Sequence, residues 1–64
     1  MKWFNVELLR SDAEKLQKLL YNIEASFEIS AAGPFYHFEI LLDPAGSKIR
    51  KIEKFLYMGA IEEA

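Results

Sequence analysis

Residues 27–40, FEISAAGPFYHFEI, constrain this chain more than any other stretch. Two alternating runs rich in aromatic and β-branched residues flank Gly33-Pro34, and that pattern reads as a β-hairpin. The phase puts Phe27, Ile29, Tyr36, Phe38 and Ile40 on one face and Glu28, Ser30, Phe35, His37 and Glu39 on the other. A two-residue loop fixes the register, placing Ser30 opposite His37 and Glu28 opposite Glu39. The only histidine of the chain therefore shares a face with carboxylates and an exposed aromatic.

A hairpin alone is marginal in water, so it must bury its apolar face against something else. Residues 2–9, KWFNVELL, alternate in the same way. Phe4, Val6 and Leu8 point to the core, leaving Trp3, Asn5, Glu7 and Leu9 on the far side. Ala13, Leu16, Leu19, Leu20 and Ile23 follow helical spacing and predict an amphipathic helix over 12–24. Ser11 and Glu14 have the spacing of a capping box at its start. Asp43-Pro44 signals a second helix, with Ser47 as a competing cap. Ala45, Ile49, Ile52, Phe55, Leu56 and Gly59 supply its apolar stripe, Met58 lies near its end and Gly59 is the expected C-cap. The tail AIEEA is either frayed or a short fourth strand begun by Ile61.

The expected fold class is therefore α+β, a β-α-β-β-α two-layer sandwich. A three-stranded antiparallel sheet carries two helices on one face, and a right-handed crossover sets the first strand beside the third. Over its whole length this order resembles the ferredoxin-like topology with the last strand short or missing. The resemblance is one of topology and implies no activity.

Length and composition bound the rest. Sixty-four residues make one domain, and a chain of that size buries only about 60% of the surface it exposes when unfolded. There is no cysteine, so no disulfide or thiolate site supplements the core. Five Phe, three Tyr and one Trp argue against disorder. A net charge of −2 is too small to indicate a polyanionic partner or a nucleic-acid mimic. Charged residues interrupt every apolar run well short of a membrane span. MKWFNVELLR lacks the long apolar core and cleavage site of a signal peptide, so the cytoplasm is the simplest location.

Three readings compete for the helix-free face. Antiparallel sheets often keep one side wet, and the face is then only a solvated surface. Alternatively Trp3 and Phe35, with Leu9 and Leu41, form an apolar patch that binds a second copy or another protein. Asn5, Glu7, Glu28, His37 and Glu39 complete the surface, the glutamates forming a rim around the aromatics. Thirdly, His37 with Glu7, Glu28 and Glu39 offers ligands for Zn²⁺ or Mn²⁺, but an open sheet provides neither pocket nor supporting shell. Ser30 beside His37 has no oxyanion donors near it. The expectation is a non-enzymatic protein-binding module of inhibitor or adaptor type, without metal or cofactor. The alternative is nucleic-acid binding through Lys48, Arg50, Lys51 and Lys54 on the second helix. Against that stands the ordinary reading of a solvated helix face interrupted by Glu53.

Overall fold

The computed structural model describes the backbone of residues 1–58 and 62–63 and the side chains of 1–56. Strand β1 spans Lys2–Leu9, helix α1 Arg10–Asn22, and strands β2 and β3 Ser26–Ala32 and Phe35–Leu42. Helix α2 follows at Lys48–Met58, and a two-residue strand β4 at Glu62–Glu63. The result is a small α+β domain built from an antiparallel sheet and two helices. Its sheet runs in the order β2-β3-β1-β4, so β3 and β1 occupy the centre. Gly59 and Ile61, named above as a cap and a strand start, lie outside the described residues.

The apolar side chains at alternate positions of the sheet explain where the helices sit. Val6 and Leu8 of β1 and Phe38, Ile40 and Leu42 of β3 are buried together with Ala13, Leu16, Leu20 and Ile23. Ile52, Phe55 and Leu56 of α2 complete the same cluster. Each such Leu, Ile or Phe withdrawn from water contributes about 1.5–3 kcal/mol. Phe27 joins the cluster from its margin, with its ring 6.2 Å from Phe38 and 5.3 Å from Tyr21.

Helix α1 begins differently from its sequence signal, whereas α2 takes the second of its two expected starts. Helix α1 starts at Arg10, two residues before the expected start, because β1 runs straight into it. Leu9 keeps extended backbone (φ −67°, ψ 160°) and occupies the N-cap position without a side-chain bond. Ser11 thus lies inside the first turn, and the expected capping box with Glu14 does not form. Glu14 instead faces Arg10 at 3.4 Å. At the other end Glu24 takes φ +56°. The Glu24 N–H donates to the Tyr21 carbonyl (3.2 Å) and the Ala25 N–H to that of Leu20 (3.0 Å). This is the Schellman arrangement, closed here by a glutamate where glycine is favoured.

Asp43 caps a turn in place of a helix. Its carboxylate accepts from the Ala45 N–H (3.0 Å) and its carbonyl from the Gly46 N–H (2.9 Å). Pro44 is then the second residue of a β-turn, where its fixed φ is already correct. Helix α2 begins only at Lys48, after Ser47, the competing start.

The hairpin has the expected register: Glu28 stands opposite Glu39, Ile29 opposite Phe38 and Ser30 opposite His37. Gly33 has φ +60°. Followed by Pro34, whose ring holds φ near −65°, it fits a type II′ loop, which matches the twist of the strands. Ile29 corrects one expectation. It points to the helix side, as its phase requires, yet is 39% exposed. The helices cover β1 and β3 but not the outer half of β2.

Candidate functional site

On the helix-free side the pairings of β1 with β3 and of β3 with β2 arrange the side chains in four rows. Trp3, Leu41 and Ser26 form the first, and Asn5, Glu39 and Glu28 the second. Glu7, His37 and Ser30 form the third, and Leu9, Phe35 and Ala32 the fourth. All seven residues singled out for this face, Trp3, Asn5, Glu7, Glu28, Phe35, His37 and Glu39, therefore lie on it.

Their distribution is not the continuous patch expected from phase alone. Trp3 and Phe35, 44% and 42% exposed, stand in the first and fourth rows. The end rows are six residue steps apart along the strands, about 20 Å at ~3.4 Å per residue. The two rows between them are polar. The face thus has two apolar ends and an acidic middle, where the sequence suggested aromatics inside a glutamate rim.

His37 organises the middle. Its Nε2 lies 3.2 Å from Asn5 Oδ1 and its Nδ1 3.5 Å from Glu7 Oε1. Both ring nitrogens so face β1, where Glu7 is the carboxylate beside the ring, while Ser30, opposite on β2, makes no bond to it. Only the imidazolium can donate from both nitrogens at once. In the neutral ring one nitrogen is an acceptor, which Asn5 can meet by turning its amide NH₂ inward. Glu28 and Glu39 face each other across β2 and β3, an arrangement of like charges that costs stability. With Ser30 and His37 they line a shallow depression. Among the described residues, no three His, Asp or Glu side chains converge closely enough to hold a metal ion.

The second candidate surface lies on the opposite side of the molecule. Lys48, Arg50, Lys51 and Lys54 are all exposed on α2. At 100° per residue, Arg50, Lys54 and Lys51 share one arc, while Glu53 falls outside it towards the flank. The Lys48 ammonium donates to the Glu24 carbonyl at 3.5 Å and closes the end of α1. The domain is consequently bipolar, basic on one helix and acidic at the centre of the sheet. No helix among the described residues is long and apolar enough to cross a membrane. In comparisons with protein-family models, curated proteins and solved structures, nothing matches this chain.

Proposed function

We propose that this domain is a non-enzymatic protein-binding module, of inhibitor or adaptor type, acting through its helix-free sheet face. We further read its topology as ferredoxin-like, with the last strand reduced to Glu62–Glu63. The β-α-β-β-α-β element order and the β2-β3-β1-β4 sheet support that reading.

One observation carries the functional proposal: two large side chains, Trp3 and Phe35, stay exposed at either end of an acidic belt. The core does not need them there. Trp is the residue most often found anchoring protein interfaces, and aromatic residues generally are enriched in them. Glu7, Glu28 and Glu39 favour a complementary cationic partner, so the surface suits a basic segment bordered by apolar residues. The depression beside His37 is open, and an open face leaves a reacting group surrounded by water.

The test is capture of a partner by the immobilised domain. The Trp3→Ala and Phe35→Ala variants should remain folded by circular dichroism and lose the captured protein. Lys51→Ala with Lys54→Ala should keep it. The reverse pattern would move binding to α2. Salt-sensitive binding of single-stranded RNA or of duplex DNA by that helix would then favour the nucleic-acid reading through Lys48, Arg50, Lys51 and Lys54.

A further inference from the structure

The outer edge of β2 offers a site distinct from the sheet face. Among the described residues no strand pairs with that edge, whereas β1 is followed by β4 on the other side. In a two-residue hairpin the residues flanking the loop exchange both backbone bonds. Ala32 and Phe35 are that pair. Bonded and non-bonded pairs then alternate, so Ser30 and Glu28 also bond inward to β3. Phe27, Ile29 and Ala31 direct their N–H and C=O groups outward.

Proteins normally blunt such an edge with lysine, proline, a bulge or a cover. SFEISAA contains neither lysine nor proline, its pairing to β3 is continuous, and Glu28 is its one charge. The same three outward-bonding residues carry apolar side chains on the helix side. There Ile29 and Ala31 are exposed, and Tyr21, 66% exposed, packs its ring against Phe27.

We propose that this edge pairs antiparallel with the same edge of a second copy, about a two-fold axis at Ile29, joining two sheets into one. The pattern of outward groups leaves few registers. Centring on Glu28 opposes two glutamates, which is unfavourable, and shortens the overlap. Centring on Ser30 shortens it as well. Centring on Ile29 pairs all seven residues of β2 with their counterparts. Ile29 then meets Ile29, Phe27 meets Ala31, and Glu28 meets the Ser30 hydroxyl instead of another carboxylate. The strand is self-complementary in hydrogen bonding and in apolar contact, and this register opposes no like charges. The helix-free faces of both copies remain open and lie side by side in this assembly.

Sedimentation equilibrium across micromolar to millimolar concentrations tests the proposal, with two variants that read the register. Ser30→Lys sets a lysine opposite Glu28 at two symmetric places and should lower the dissociation constant about two- to thirtyfold. Ser30→Glu should raise it by a similar factor. Ile29→Cys brings two thiols together across the axis, since bonded antiparallel pairs have Cα atoms about 5.5 Å apart, within disulfide range. Mild oxidation should trap it as a covalent dimer and leave Arg50→Cys monomeric. A monomer at every concentration, for the parent and for Ser30→Lys alike, would overturn the proposal. So would a dimer indifferent to both Ser30 substitutions and untrapped by Ile29→Cys.

Discussion

Strands β2 and β3 belong to one hairpin and share one alternation, yet they lead different lives. On the helix side β3 buries Phe38, Ile40 and Leu42 almost completely, while β2 leaves Ile29 and Ala31 in water. Alternation determines which face a side chain takes. Depth depends on whether a second layer reaches that far. Two helices on a domain with principal extents of 32 × 24 × 18 Å cover the central pair of strands and stop short of the edge. What they leave uncovered is both a weak spot in the core and an unpaired ladder.

The contrast can be broken most forcefully at its centre. Phe38→Ala should cost about 3–5 kcal/mol, because the ring is fully buried and its loss leaves a cavity. In a domain of this size that is a large part of the total stability, so denaturant unfolding should show a partly or wholly unfolded protein. Ile29→Ala, directly across the ladder, should cost less than about 1 kcal/mol in the monomer. Equal costs at the two positions would mean that β2 is covered as well as β3.

The chain enters and leaves β2 near two left-handed residues, and these sharpen the comparison with opposite signs. Gly33→Ala meets no atom within 4 Å, so its cost comes from φ alone, about 1–2 kcal/mol. Glu24→Gly should stabilise by roughly 1 kcal/mol, since glycine adopts the C′ conformation of α1 without the Cβ penalty. Thermal melts of the two variants should shift in opposite directions. The smallest effect belongs to the opposed carboxylates: Glu28→Gln should stabilise by a few tenths of a kcal/mol, and less at high salt.

Much of this architecture is legible in the residues. KWFNVELL gives β1 with its bounds, and Gly33-Pro34 gives the register of the hairpin, because both depend on local alternation and turn chemistry. The helix starts are less legible. Ser11 has the right spacing for a cap, but the strand continues to Leu9 and draws the helix start back to Arg10, so Ser11→Ala should leave stability nearly unchanged. Asp43-Pro44 carries a signal shared by helix starts and β-turns, and the turn takes it. The seven residues of the sheet face follow from phase, whereas their sorting into two apolar ends and an acidic middle follows from the pairing of β1 with β3. The exposure of Ile29 appears in no local pattern, because it depends on where the helices end in space.

Amide hydrogen exchange along β2 and β3, followed by NMR at a concentration where the protein is monomeric, tests the open edge most directly. The account predicts that Glu28, Ser30 and Ala32 are protected while Phe27, Ile29 and Ala31 exchange freely, and that β3 is protected throughout. Raising the concentration should then slow Phe27, Ile29 and Ala31 selectively. Uniform protection of β2 in the dilute monomer, or uniform rapid exchange along it, would contradict the account.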